Sequence, residues 1–499
     1  MTNSLYDALI GRHAGQEAVF LETDDGSRIT YAQFIARAAQ FAHVLVQNGV
    51  SPGDRLVVQA PKRWEVLALY AASLQAGAVY LPLNTAYTTE ELRYFIGDAA
   101  PKLVLCTPDA QAALTPIAEA SAAALLTLDA AGMGSLAEAA QSCPEDFQTV
   151  PRSPDDLAAL LYTSGTTGRS KGAMLTHGNM LSNAEALVDL WQITDADRLI
   201  HALPIFHTHG LFVAMNTALL AGVEVRLMER FSPDQILAEL PRSTMLMGVP
   251  TFYTRLLGDA RLTRAACAKM RLFISGSAPL LAETHEAFEA RSGHRILERY
   301  GMTETNMNTS NPYDGARRAG TVGKPLPGVE VQITQDGQPL PQGEIGMIEV
   351  RGPNVFKGYW NMPDKTAEEL RDSGYFITGD LGRIDDQGYL SIVGREKDLI
   401  ISGGYNIYPK EIEDVLNDIP GVLESAVYGV ADADFGEAVC AAIVVEPGTE
   451  VSQEVLQTEV AQKLARFKHP RHYRMLPELP RNTMGKVQKN ILRQEFTPS

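Results

Sequence analysis

Cysteine is scarce and scattered. Only Cys106, Cys143, Cys267 and Cys440 occur in the 499 residues, with no CxxC pair and no Cys/His cluster. That pattern argues against a disulfide-stapled scaffold and a thiolate zinc site, and a reducing cytoplasm is the compartment it predicts. Long apolar runs are also missing. The most apolar stretch, LIHALPIFHTHGLFVAMNTALLAG (199–222), is broken by Pro204 and carries three histidines, whereas a membrane span needs about 20 uninterrupted apolar residues. It reads as a buried, functional element. The opening MTNSLYDALIGRHAG lacks the basic segment and apolar run of a secretory signal. Positive charge is in deficit, with 43 Lys and Arg against 60 Asp and Glu and a net charge of −17. Such a field repels nucleic acid and anionic membrane, so an anionic ligand has to be held by local cations. No internal repeat or low-complexity tract is present.

The chain is longer than the roughly 250–300 residues at which a single core stops growing, so several units are expected. Hydrophobic residues make up 45% and charged residues 21%, ordinary for a chain that buries a large core. Helical periodicity in YAQFIARAAQFAHVLVQNG (31–49) alternates with the strand-like runs RLVVQA (55–60), VYLPL (79–83) and KLVLCT (102–107). The rhythm returns at EVRLM (224–228), STMLMGVP (243–250) and RLFISGS (271–277). Helices alternating with apolar strands predict a largely parallel α/β architecture, here in two layers before about residue 315. From 329 to 352 the texture becomes short alternating strands with Asp-Gly and Gln-Gly turns, a small β subdomain over about 316–394. The polar Gly-Arg-Glu-Lys-Asp (394–398) reads as a junction between an N-terminal domain, 1–394, and a smaller α+β C-terminal domain, 395–499.

TSGTTGRSKG (163–172) follows the apolar run LAALLY. Gly165, Gly168 and Gly172 let backbone approach an anion; Thr163, Ser164, Thr166, Thr167 and Ser170 supply hydroxyls, and Lys171 supplies charge. It is not a Walker A loop, which wants Gly before the lysine and Ser or Thr after it. A plain Gly/Ser surface loop is the bland alternative. With YGMTET (300–305), YFITGD (375–380), GREKDLIISGGYNIYPKEIE (394–413) and PRNTMGK (480–486), in that order, the chain resembles the adenylate-forming superfamily of acyl-CoA synthetases, luciferases and adenylation domains, essentially end to end.

The resemblance implies a two-step reaction. A carboxylate attacks the α-phosphate of ATP to give an acyl-adenylate and pyrophosphate, and the thiol of CoA then displaces AMP. It assigns ATP binding to residues 163–168 and to Lys171, Gly276, Ser277, Glu298, Tyr300, Thr303, Asp380, Arg395 and Lys486. Glu304 suits Mg²⁺, which takes oxygen ligands and substrate phosphates, and Thr303 can donate to the α-phosphate. Asp380 can accept the ribose hydroxyls. Lys486 corresponds to the adenylation lysine, a fixed charge where negative charge accumulates. Lys397 corresponds to the pivot of a mobile C-terminal domain, and Ser402, Gly403 and Gly404 to the passage for pantetheine. Taken singly, each has a bland reading: a helix start for Thr303 and Glu304, a surface turn for Asp380, a solvated side chain for Lys486, a hairpin for the glycine pair. Pro480 and Gly485-Lys486 also resemble the site modified by lysine acetyltransferases.

His207 resembles the family's gating histidine. Arg299, directly before the Tyr-Gly pair, is the unusual letter. A cation in an apolar acyl pocket would be unpaired, at a cost of several kcal/mol by order of magnitude. A second carboxylate on the substrate removes that cost, because the guanidinium fork binds carboxylates bidentately. Malonate is the smallest acid that fits, and ERYGMTETN with ARRAGTVGKPLPG resembles the malonyl-CoA synthetase branch. Met302 would limit room on the α-carbon, leaving methylmalonate as a weaker substrate. An ion pair of Arg299 with Glu298 or another acid stays open, as do a ligase for short or medium monocarboxylic acids and a non-catalytic binding protein of the same fold.

Overall fold

The computed structural model describes residues 2–163, 170–402, 405–432, 435–482 and 485–496, without the side chains of 405 and 406. Four sheets organise it. A six-stranded sheet holds Arg55–Val58, Val79–Pro82, Leu103–Cys106, Ala124–Thr127, Leu157–Thr163 and Lys171–Thr176. All its pairings are parallel except the last, where Leu157–Thr163 and Lys171–Thr176 run antiparallel and Thr163 faces Lys171. The strands Val79–Pro82 and Leu103–Cys106 are buried throughout, the continuous apolar pattern of strands covered on both faces.

The second sheet has nine strands, and its parallel centre is Arg198–His201, Glu224–Leu227, Met245–Gly248, Leu272–Ser275 and Leu297–Met302. The first strand of the chain, Val19–Glu22, joins it beside Glu224–Leu227. At the other edge Leu297–Met302 turns back antiparallel into Asn306–Ser310.

Local chemistry sets the element ends. Thr30, Thr88 and Thr176 each cap a helix through a reciprocal capping box, with Gln33, Glu91 and Asn179 at the third position. The Thr176 cap starts the helix His177–Leu190 directly after the strand that carries Lys171, and Asn179 donates to the carbonyls of Pro353 and Val355 at 2.7 and 2.9 Å. The strand carrying Lys171 is thereby tied to the segment around Tyr359.

The third sheet is antiparallel, from Glu330–Gln335 to Leu390–Arg395. Its Asp336-Gly337 turn has φ of 50° and 76°, the two positive angles that a tight two-residue hairpin demands. The fourth sheet joins Ile400–Ser402, Tyr405–Ile407, Val422–Asp432 and Gly436–Val445, with His472–Met475 alongside. It has a separate hydrophobic core centred on Ile400, Ile412, Val427, Val439 and Leu456. The fold is therefore mixed α/β, with a large amino-terminal part of several sheets and a smaller carboxy-terminal part. Helix Pro409–Asn417 packs on strand Leu390–Arg395, and Arg493 of the last helix pairs with Asp398 at 2.9 Å. Among the described residues no helix is long and apolar enough to cross a membrane.

Candidate active site

The site is built around the edge hairpin of the nine-stranded sheet. Thr303 and Glu304 are the central residues of its turn, closed by the Thr305 N–H donating to the Met302 carbonyl at 3.2 Å. A Cβ on Gly301 would stand 1.9 Å from the Asn306 carbonyl oxygen, so only glycine lets the two strands close this tightly. Glu304 is buried at 5% exposure, and burial raises its pKa. Its Oε1 lies 3.1 Å from the Tyr359 hydroxyl, which also reaches Glu369 Oε2 at 2.6 Å. Lys171 completes this group. Its Nζ donates to both Glu369 oxygens at 3.0 and 3.1 Å and to the Tyr359 hydroxyl at 3.1 Å.

On the same strand Tyr300 donates to Asp380 Oδ2 at 2.6 Å, while Arg395 Nε holds Asp380 Oδ1 at 2.9 Å. Asp380 and Arg395 are register partners in the antiparallel sheet. The charge of Asp380 raises the Arg395 pKa, and burial beside Asp380 carries the Tyr300 phenol far above its usual range. Glu298 has a different environment: it faces His285 Nδ1 at 3.3 Å, and burial raises its pKa.

Arg299 is 3% exposed, and its Nε and Nη2 have no hydrogen-bond partner among the described residues. Among the described residues no carboxylate comes within ion-pair distance of it, which removes the pairing with Glu298 that the sequence had left open. The guanidinium lies across the backbone of Gly276, where a Cβ would meet Arg299 Cζ at 2.4 Å. Burial lowers the Arg299 pKa to about 9, so it is still cationic at neutral pH. Two histidines accompany it, and both stay neutral. Burial, then the charges of Lys486 and Arg299, push His207 down to about 3. Burial and Arg299 push His209 lower than a free histidine as well.

The segment His209–Met215 winds as a π-helix, a rare geometry that recurs at functional sites. It brings His209 Nδ1 within 3.2 Å of the Ser277 hydroxyl. Ser277 adopts φ of 71°, costly for a non-glycine residue and held only where surroundings enforce it. Thr208 Oγ1 and His209 Nε2 are buried without a partner among the described residues. Met302, half-buried, closes the hairpin opposite Asn306 and packs at the margin of the main core.

Lys486 reaches this group from the carboxy-terminal part. Its pKa is lowered, first by desolvation and then by Arg395, while Asp380 and Glu304 oppose the shift. The residue is exposed to solvent, which weakens that depression. Gly485, at φ of 74°, turns the loop beside Thr251. Lys397 is lowered to about 8 by desolvation and by Arg395. Ser402 pairs with Tyr405 and Gly436 and takes no part in the hydrogen bonds and ion pairs above. Ser164, Gly165, Thr166, Thr167, Gly168, Gly403 and Gly404 lie outside the described residues.

The structure thus gathers Lys171 and Glu304 around Tyr359, Tyr300 and Arg395 around Asp380, and Arg299 against Gly276 near His207, with the charge of Lys486 felt by His207 and opposed by that of Arg395; Ser277 joins through His209. Sequence reasoning missed Tyr359, Glu369 and His209. The His209 signal was present in FHTHG, whereas Glu369 sits in AEEL and resembles any surface helix acid.

Two family models match the chain: AMP-binding enzyme over residues 8–360 and AMP-binding enzyme C-terminal domain over 411–486. The chain belongs to the AMP-binding enzyme family of adenylate-forming proteins, and it is an AMP-forming acyl-CoA synthetase. It is 36% identical to a malonate–CoA ligase of Arabidopsis thaliana, over 95% of this chain and 85% of that one. A feruloyl-CoA synthase of an Amycolatopsis species is also 36% identical, over 94% of each. Among solved structures, ATP-bound MatB from Rhodopseudomonas palustris superposes with a TM-score of 0.97 at 55% identity, covering 99% of both chains; the apo form gives 0.88.

Proposed function

We propose that this acyl-CoA synthetase is a malonate–CoA ligase, converting malonate, ATP and CoA to malonyl-CoA, AMP and pyrophosphate through a malonyl-adenylate. The observation that carries this reading is the buried Arg299 guanidinium, with two unpartnered nitrogens beside two neutral histidines. Such a fork asks for a carboxylate, and a monocarboxylic acid would leave it unpaired. The 36% identity to the malonate–CoA ligase of Arabidopsis thaliana, over 95% of this chain, supports the same acid.

In this reading the distal carboxylate of malonate rests on Arg299, with His207 and Ser277 beside it and Met302 bounding the α-carbon, so that methylmalonate is accepted more weakly. The proximal carboxylate then attacks the α-phosphorus, and pyrophosphate leaves. Lys171 and residues 163–168 hold phosphates, Thr303 donates to the α-phosphate, Asp380 and Arg395 hold the ribose, and Gly276, Glu298 and Tyr300 border the nucleotide. Lys486 neutralises the charge that builds between the two anions. Mg²⁺ would be held by Glu304 and the nucleotide's phosphates and would supply further neutralisation. The fit is good, because Glu304 is a buried carboxylate with no cation at ion-pair distance among the described residues. For thioester formation, residues 395–499 turn about Lys397 so that the segment of Ser402, Gly403 and Gly404 admits pantetheine. Acetylation of Lys486 by a lysine acetyltransferase would delete its charge and stop adenylation.

The test is carboxylate-dependent ATP–pyrophosphate exchange with malonate, methylmalonate, acetate, butyrate and octanoate. Malonate should give the highest kcat/KM. A monocarboxylic acid ahead of malonate would overturn the assignment, and no exchange with any acid would favour a binding protein of this fold.

A further inference from the structure

The Lys171 ammonium is already held by protein: its Nζ lies 3.0 and 3.1 Å from the two Glu369 oxygens and 3.1 Å from the Tyr359 hydroxyl. It also packs over the Tyr359 ring, 4.2 Å from the centroid. An incoming phosphate must compete with the Glu369 carboxylate for this cation. The pair is nonetheless within reach of solvent, with side-chain exposures of 18% and 22%. Glu369 has other support. Lys365 Nζ lies 3.0 Å from the same Oε1, and the Tyr359 hydroxyl donates to Oε2 at 2.6 Å. If Lys171 departs, the carboxylate keeps one cation and one donor.

We propose that Glu369 is a displaceable counter-ion: it holds Lys171 against Tyr359 when the nucleotide site is empty and yields it to the phosphates of ATP, while Lys365 keeps the carboxylate neutralised. Glu369 is then a positioning residue acting through Lys171, and it sets ATP affinity by competing with the nucleotide. The idea rests on the reading of Lys171 as a phosphate ligand. A partly exposed ion pair of this kind limits the effect to about three- to tenfold in affinity.

The experiment is ATP binding by titration calorimetry on the full-length protein, for the wild type, Glu369→Gln, Lys171→Met, the double variant and Lys365→Ala. Glu369→Gln should tighten ATP binding about three- to tenfold and lower the KM for ATP while leaving the KM for the carboxylate unchanged. In the Lys171→Met background the same substitution should have no effect. Lys365→Ala, a surface change that leaves the core intact, should weaken ATP binding by about twofold, because Glu369 then grips Lys171 harder. Unchanged or weaker ATP binding in Glu369→Gln overturns the counter-ion, and unchanged or tighter binding in Lys365→Ala overturns the handover. If Lys171→Met itself binds ATP like the wild type, the underlying reading of Lys171 fails, an outcome separable from the other two.

Discussion

Arg299 shows how one residue can be conspicuous in a sequence and still undecided. Its charge, its place before Tyr300 and the cost of burying it were all legible. Whether an acid neutralised it was not: alternation along a strand turns Glu298 to the other face, but which distant side chains share the face of Arg299 is set by the fold. Removing a buried charge partner typically costs about 2–5 kcal/mol. Arg299→Ala should therefore lower kcat/KM for malonate about thirtyfold or more while leaving the Kd for ATP unchanged; an unchanged malonate KM would refute its role. Gly276→Ala is the subtler probe. The added methyl takes the space of the guanidinium, so malonate KM should rise although Arg299 is still present.

The histidines at this scale yield a pH prediction. His207, pushed down to about 3 by burial, is neutral throughout the range above that value and protonates only as pH falls through it. The dependence of malonate kcat/KM on pH should therefore show no step near 6.5 that disappears in His207→Asn. Such a step, lost in the variant, would mean that His207 titrates at its ordinary value. Glu369 was not legible at all: its contact with Lys171 spans 198 positions, and an acid in a short polar helix carries no local mark of that pairing.

At the scale of elements, apolar runs announced the strands well. The runs at 55–60, 79–83, 102–107, 224–228 and 271–277 all contain strands of the two large sheets. Periodicity works there because a strand buried on both faces needs unbroken apolar sequence. It fails at His209–Met215, since a π-helical turn matches neither the period of 2 nor that of 3.6. The hairpin Leu297–Ser310 joins the two halves of the site, and its closure depends on Gly301. Gly301→Ala forces a methyl against backbone, which cannot swing aside as a side chain can. We expect a loss above about 2 kcal/mol in stability, read by denaturant unfolding, together with loss of exchange activity with every acid. A variant that stays stable and loses only malonate turnover would show that the turn bears on selectivity rather than closure.

For the whole molecule, the question is how residues near 171, 300, 380 and 486 come together. Lys486 feels the charges of Arg395, Asp380, Glu304 and Arg299, and the overall shape is nearer the ATP-bound MatB structure than its apo form, 0.97 against 0.88. Under the proposed function, an arrangement that brings Lys486 among these charges belongs to the first half-reaction. Lys486→Ala should reduce malonate-dependent ATP–pyrophosphate exchange by at least about a hundredfold, the order of a lost preorganised charge. It should leave thioester formation from supplied malonyl-adenylate within about threefold of wild type. Equal losses in both half-reactions would place Lys486 in general support of the fold.

The amino-acid sequence by itself determined the class of chemistry: a glycine-rich loop with its lysine, the Tyr-Gly-Met-Thr-Glu-Thr turn, the Asp380 strand and the terminal lysine are local patterns, each written within a few residues. It also singled out Arg299 as a cation next to the Tyr-Gly pair in a chain whose net charge is strongly negative. Only the tertiary structure decided what each charge faces. Lys171 meets Glu369, Asp380 meets Arg395 and Tyr300, Glu298 meets His285, and Arg299 meets no acid among the described residues. The physical reason is that electrostatic interaction depends on distance and burial, and both are set by sheet register and by packing between segments as distant as those of Lys171 and Glu369, 198 residues apart.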